Sequence, residues 1–240
     1  MTIALRKGAY VVRLADGPAD MAACQQMRHV CFCGGTGVDA DRFDHLSHHI
    51  MVEDLGGSLT ATLRVAIWPD GRAMLGGYAA QFYDLSRLAA ARGPFAEIGR
   101  FCIDPAVRDA DVLRVIWGAL ARIVDAEDVR YLIGCTSFAG LDPAPYQAAL
   151  ALLGRRHVAP GHLRPALKAG EVTHFATGPS DMKSALRQMP ALLRSYLMMG
   201  GWVSDHAVVD RDLQTLHVFT CVPVATIPAA RAKALRAVAG

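Results

Sequence analysis

Glu97-Ile98-Gly99-Arg100-Phe101 sets a carboxylate and a guanidinium three residues apart around a glycine. Glu97 is a candidate general base, and Arg100 a candidate for fixing either a substrate or Glu97 itself. In a regular strand the two side chains would point to opposite faces, because side chains alternate with period two. Gly99 signals a bulge, which would bring both to one surface and leave a main-chain N–H for a ligand carbonyl. The structural alternative is a surface Glu and Arg on an edge strand. A second group is electrostatic: residues 143–170 contain no Asp or Glu but carry Arg155, Arg156, Arg164 and Lys168, with His157 and His162 beside them. On a chain of net charge only +3 this local excess predicts one docking place for an anionic partner. The basic stretch from Arg155 to Lys168 is short and has no Phe, Tyr or Trp between its charges, so nucleic acid is not the expected partner. No metal is expected. Cys24, His29, Cys31 and Cys33 lack paired Cys-x-x-Cys spacing, and His45, His48, His49 and Glu53 do not form a His-Glu-x-x-His pattern. Cys135 and Ser137 have no His and acid near them in sequence, so nothing specific supports a covalent nucleophile.

The elements that must position these groups read as α/β. Tyr10–Leu14 alternates as a strand, a helix follows over about residues 19–32, and residues 58–68 alternate as a half-buried strand closed by Pro69-Asp70-Gly71. Residues 72–92 read as an irregular excursion with a short helix. Phe95 opens the strand that carries Glu97 and Arg100. Val112, Val115, Ile116, Ala119 and Ile123 then recur at the spacing of a helix face packed on a sheet. Residues 131–136 read as a buried strand, and Asp142-Pro143 starts a helix to about Leu153. Two helical pieces divided at Pro190 occupy about residues 180–199, where Met182, Met189, Met198 and Met199 offer either core packing or a pliable wall for a fatty chain. A strand pair follows at about 202–224. The 240 residues, 52% hydrophobic and 20% charged, are expected to form one domain over 1–240. No stretch reads as a spanning helix, and the apolar run after Lys7 stops at Arg13, too short for a signal peptide. A cytoplasmic protein with six reduced cysteines is expected.

The strand through Asp104, the loop of residues 105–110 and the helix from Asp111 resemble the central motif of the GNAT superfamily of N-acyltransferases. In that superfamily the loop reads Arg or Gln, two residues, Gly, one residue, Gly or Ala, and cradles the coenzyme A pyrophosphate on the helix N-terminus. Here Arg108-Asp109-Ala110-Asp111-Val112-Leu113 stands instead, with no glycine and two carboxylates where the helix would meet an anion. A donor without pyrophosphate fits better. Acyl carrier protein, with one phosphodiester and an acidic surface, is such a donor. Longer stretches narrow the resemblance: residues 97–103, Asp111-Val112-Leu113-Arg114, residues 134–138, Asp142-Pro143-Ala144 and Leu192-Leu193-Arg194-Ser195-Tyr196 are similar to the L-ornithine N-alpha-acyltransferases of ornithine-lipid synthesis. A more distant similarity is to acyl-homoserine-lactone synthases, with Arg28, Phe32, Asp41, Asp44, Arg64, Glu97 and Arg100 in the same order. The Trp those enzymes carry after the Phe is replaced by residues 34–38.

The resemblance implies a GNAT-like fold, a central mixed and largely antiparallel sheet flanked by helices. It implies transfer of a 3-hydroxylated fatty acyl group from acyl carrier protein to the α-amine of ornithine, giving a lyso-lipid, with no cofactor beyond the carrier thioester. Glu97 and Arg100 would be catalytic. Arg28, Phe32, Asp41, Asp44, Arg64, Ser137, Phe138 and Tyr146 would line the substrates, with Tyr146 a candidate acid for the leaving thiol. An ornithine pocket needs a fixed cation, from Arg28 or Arg64, and a fixed anion, from Asp41 or Asp44. Arg155, Arg156, Arg164 and Lys168 would dock the carrier. Contact with the inner face of the cytoplasmic membrane, through Arg231, Lys233 and Arg236, is a rival use of positive charge. Glutamine or another amino acid as acceptor, a lactone-synthase-like reaction, and a silent module that binds carrier protein or lipid are the alternatives.

Overall fold

In the computed structural model, which describes residues 3–175, 178 and 181–239, the first part of the chain runs β1 (Ala4–Lys7), β2 (Tyr10–Leu14), α1 (Gly17–Phe32), β3 (His48–Asp54) and β4 (Leu59–Trp68). It continues through α2 (Gly71–Met74), β5 (Tyr83–Asp84), α3 (Ser86–Ala89), β6 (Phe95–Ile103), α4 (Asp111–Ala126) and β7 (Tyr131–Ala139). Then come α5 (Gln147–Arg156), β8 (Ala166–Leu167), β9 (Val172–His174), α6 (Met182–Gln188), α7 (Ala191–Met198), β10 (Trp202–Val203), β11 (His206–Asp210), β12 (Thr215–Pro223) and α8 (Ala229–Ala239). The chain divides into two compact units. Unit 1 takes the residues up to 67, residues 96–129 and those from 228; unit 2 takes residues 68–95 and 130–227.

In unit 1 the strands lie in the order β1, β2, β3, β4, β6, with β1 to β4 paired antiparallel in sequence order. The face of α4 formed by Val112, Val115, Ile116, Ala119 and Ile123 is buried as its spacing predicts. Trp117, Gly118 and Leu120 are buried as well, because α8 covers a second side of the helix. Gly118 permits that approach: a Cβ there would lie 2.9 Å from Val238. Within α8, Arg236 pairs with Asp125 of α4 at 2.7 Å, which ties one of the three basic residues considered for membrane contact to its own unit.

Strand β4 departs from the half-buried expectation, since both its faces are buried. Its polar face tolerates this because each side chain finds a partner: Thr60 and Thr62 donate to the Val52 and Ile50 carbonyls of β3, and Arg64 meets carboxylates. A buried polar group that is hydrogen-bonded avoids most of its desolvation cost.

In unit 2 the strands lie antiparallel in the order β7, β12, β11, β9, with β10 also pairing β12 and a separate β5–β8 ribbon. The strand expected at residues 202–209 is interrupted at Ser204-Asp205 into β10 and β11. The helical pair divides at Pro190 as expected, although residue 180, where it was expected to begin, lies outside the described residues. Met189 and Met199 are core residues, whereas Met182 and Met198 are 40% and 57% exposed.

Candidate active site

The positions singled out in unit 1 converge on one charge cluster. Arg28 comes from α1, Arg64 from β4 and Arg100 from β6; Asp39, Asp41 and Asp44 come from the segment between α1 and β3. They close into a ring of alternating sign. Arg28 Nε lies 2.9 Å from Asp39, Asp39 lies 2.7 Å from Arg100 Nε, and Arg100 Nη2 lies 3.1 Å from Asp41. Asp41 in turn lies 2.6 Å from Arg64 Nη1, which is 2.9 Å from Asp44, and Asp44 lies 2.8 Å from Arg28 Nη1. Arg64 holds Asp41 with both terminal nitrogens, the paired geometry that makes such contacts strong and directional.

Three cations and three anions leave the ring neutral, and its members are largely buried, Arg28 completely. Burial alone would raise the carboxyls of Asp39 and Asp44. Hydrogen bonds from Arg100 and Arg28 to Asp39, and from Arg28, Gln25 and Arg64 to Asp44, reverse this and hold both below the usual carboxylate range. Burial likewise works against the Arg28 charge, and Asp44 and Asp39 restore it. His49, which meets the Asp44 carbonyl at 3.1 Å, is kept below its ordinary value by burial and by the nearby Arg28 and Arg64.

The Glu97–Arg100 segment bends, but not at the glycine. Arg100 takes φ +51°, a left-handed conformation rare for a residue with a side chain, and that turn aims its guanidinium at Asp39 and Asp41. Gly99 serves a different end: a Cβ there would lie 3.3 Å from Arg64 Nε, so the missing side chain makes room for Arg64. Phe32 joins the cluster through its ring, 5.7 Å from the Arg100 guanidinium carbon. Glu97 sits on the same strand and is 6% exposed.

Arg28 or Arg64, expected to offer a cation to the substrate carboxylate, and Asp41 or Asp44, expected to offer an anion to its ammonium, are paired with one another in this ring. Asp39 was missed by sequence reasoning. A count of three arginines against three nearby aspartates was the available signal.

The remaining positions lie in unit 2. Phe138, expected at the substrate, is 1% exposed and packs among Leu150, Leu153 and Leu216, with its ring 5.0 Å from that of Tyr146. The Tyr146 hydroxyl donates to the Ala139 carbonyl at 2.8 Å. Ser137 stands opposite His217 in the β7–β12 register. His217 is a polar centre that the sequence did not reveal. Its Nδ1 lies 3.2 Å from the Tyr83 hydroxyl, and its Nε2 is 4.0 Å from Asp210. Burial, with help from His206 and against the pull of Asp210, pushes His217 down to about 4. Of the four basic side chains expected to dock a carrier, Arg155 and Arg156 are exposed at the end of α5. Arg164 and Lys168 are each held by a main-chain carbonyl, Ala159 and Ala80 respectively. Among the described residues no group of three or more His, Cys, Asp or Glu is arranged to hold a metal ion.

Before α4, Asp109 accepts from the Asp111 N–H and from the Tyr10 hydroxyl, so a carboxylate occupies the approach to that helix.

Residues 27–118, which include all six ring residues and Glu97, match the acetyltransferase (GNAT) domain. The fold agrees with that of the CoA-dependent acyl-homoserine lactone synthase BjaI, solved with MTA, at a TM-score of 0.51 over 90% of this chain and 80% of that one, with 9% identity. An L-ornithine N(alpha)-acyltransferase of Brucella abortus is 28% identical, covering 92% of this chain and 87% of its own. The enzyme of the same name from Rhodobacter capsulatus is 34% identical over 88% of each chain. Identity at that level, sustained through both units, places this acyltransferase in the L-ornithine N(alpha)-acyltransferase family.

Proposed function

We propose that this chain moves a 3-hydroxylated fatty acyl group from an acyl carrier protein thioester to the α-amine of L-ornithine, giving lyso-ornithine lipid. The observation that carries the reading is the 34% identity to an L-ornithine N(alpha)-acyltransferase across 88% of both chains. The donor is inferred from the α4 approach. Asp109 and Asp111 stand where a coenzyme A pyrophosphate would need positive potential, and a carrier-borne arm with a single phosphodiester meets less repulsion.

The amine attacks the thioester carbon, an amide bond forms, and the C–S bond breaks to release the carrier thiol. Glu97 takes the amine proton, directly or through a water molecule, while the departing thiolate regains a proton. A thiol of pKa about 8.5 leaves with little acid assistance. An α-amine of pKa about 8 is neutralised at pH 7 for only about 1.4 kcal/mol, so orientation contributes more than basicity. The charge ring supports that orientation by tying α1 and β4 to β6, the strand that carries Glu97, with Arg100 as the positioning residue on the same strand. Arg155 and Arg156 present exposed positive charge to the acidic carrier. The site of action is the cytoplasm, at the inner face of the membrane that receives the lipid product.

Mass spectrometry of products after mixing the protein with 3-hydroxyacyl carrier thioesters and a panel of amino acids tests the reading. An N-acyl-ornithine product formed in preference to N-acyl-glutamine is expected; a product on glutamine alone, or none from any carrier thioester, overturns it.

A further inference from the structure

We propose that a cleft of about 460 Å³ within unit 2, between Arg87 of α3 and the Arg164–Leu167 segment, binds a phosphate ester. Its wall also includes Pro165, His174 and Asp205. Both arginines are oriented by one turn. Arg164 donates through Nε and Nη2 to the Ala159 carbonyl, each at 3.2 Å, and Arg87 Nη1 donates to the Gly161 carbonyl at 3.4 Å. A carbonyl fixes the direction of a guanidinium without cancelling its charge.

The carboxylate in the wall leaves a surplus of positive charge. Asp205 lies 3.7 Å from Arg164 Nη1, outside hydrogen-bond distance, and its Oδ1 is already 2.8 Å from His206 Nδ1. Asp84, whose Oδ1 accepts from the Ser86 N–H at 2.9 Å, lies in the field of both Lys168 and Arg87. Two guanidiniums approaching from separate elements suit a tetrahedral group whose oxygens point several ways; a planar carboxylate is matched by a single guanidinium fork. Pro165 and Leu167, the latter 54% exposed, add an apolar wall that free inorganic phosphate would not use. The ligand is therefore a phosphate carried on an organic arm.

Such an ester has two sources: the pantetheine arm of an acyl donor, or a phospholipid headgroup. Assignment to the donor rests on the carrier-protein reading above, whereas phosphate binding does not, so the test reads binding rather than turnover. Calorimetric titration of the full chain with 4′-phosphopantetheine and with glycerol 3-phosphate, against pantetheine and glycerol as controls, is the experiment. At least one phosphate ester is expected to bind while its phosphate-free control does not. Arg87→Ala combined with Arg164→Ala is expected to weaken binding about tenfold or more, the scale of hydrogen bonds to charged groups. Asp205→Asn, which removes the competing carboxylate, is expected to strengthen it. Preference for 4′-phosphopantetheine assigns the cleft to the donor arm, and preference for glycerol 3-phosphate assigns it to a headgroup; either supports the site. No binding of either ester by folded protein overturns it, as does equal binding by wild type and a folded double variant. Should the double variant not fold, weaker binding in Asp205→Asn overturns it instead.

Discussion

Two groups of arginines, one in each unit, are held by different means. In unit 1, Arg28, Arg64 and Arg100 end on carboxylates, so every charge is answered and the ring is neutral. In unit 2, Arg87 and Arg164 donate to main-chain carbonyls, with Asp205 3.7 Å from Arg164 and shared with His206, so the pair keeps a surplus of positive charge. The first arrangement fixes geometry: three elements must come to one point for the ring to close. The second leaves a field for a ligand. An arginine's type and sequence position do not separate these uses, and the partner at its tip does.

Breaking the ring should produce the largest effect. Arg28 has no exposed surface and binds both Asp39 and Asp44, so Arg28→Ala leaves two buried carboxylates short of a partner. A loss of about 3–5 kcal/mol of stability is expected, the range for removing one member of a buried ion pair. Arg87→Ala, at an exposed position, should stay within about 0.5 kcal/mol of wild type. Urea unfolding of the two variants measures the contrast. Equal stabilities would remove the ring as a structural frame.

Part of this contrast was legible in the sequence. The resemblance to acyl-homoserine-lactone synthases picked out Arg28, Asp41, Asp44, Arg64 and Arg100, five of the six ring residues, and the repeat of Val112, Val115 and Ile116 identified the inward face of α4. That the charges would satisfy one another was not legible, because pairing depends on how α1, β4 and β6 meet in space. Gly99 marked an irregular strand, yet the left-handed residue is Arg100 and the glycine clears a path for Arg64. Helix α8 left a readable trace, an alanine-rich run after Pro228, but its three basic residues drew the reading toward membranes instead. His217 left none, since a buried histidine in β12 looks the same in sequence as an exposed one.

Acid should separate the buried histidines from the charge ring. His217 ordinarily titrates near 6.5 but only near 4 when folded, so below pH 6.5 the unfolded chain takes up a proton that the folded chain refuses. Stability contributed by the neutral histidine is therefore complete above about pH 6.5 and declines as pH falls to about 4, by about 3 kcal/mol in all. His49, also depressed, acts in the same direction within unit 1. Asp39 and Asp44 behave differently: their folded values are depressed carboxylates, so their contribution survives until pH drops below the ordinary carboxylate range. Melting temperature from pH 7 to 4 should fall less steeply in His217→Gln than in wild type. Parallel slopes would assign the acid sensitivity of this window to other groups.

Next in size is the effect on chemistry. Glu97→Gln should lower kcat by roughly 10- to 1,000-fold with the fold retained, because general-base contributions reach about 10²–10⁴ and the amine here is already partly neutral at pH 7. Glu97 belongs to none of the ring's six ion pairs and Gln keeps its volume, so the ring should stay closed in the variant. Wild-type turnover in this variant removes Glu97 as the base. A large stability loss would instead make Glu97 part of the frame and blur the distinction between ring and reactive group.

The smallest effect concerns charge that meets a partner only from outside. Arg155 and Arg156 end α5, where positive charge also complements the helix dipole, and that local role alone is worth about 0.3–1 kcal/mol. Docking predicts something the dipole does not. Replacing both with Glu should raise KM for the carrier thioester several-fold and leave KM for ornithine unchanged, because rim charges act chiefly on association. Added salt should reproduce the effect in wild type, with exposed charges screened over about 8–10 Å near physiological ionic strength, and should have little further effect in the variant. Since Arg164 is anchored on the Ala159 carbonyl and faces the cleft, it is left intact, so that encounter at the α5 end is read apart from phosphate binding. If both substrates are affected equally, or if salt leaves wild type unchanged, Arg155 and Arg156 serve the helix end and the carrier docks elsewhere.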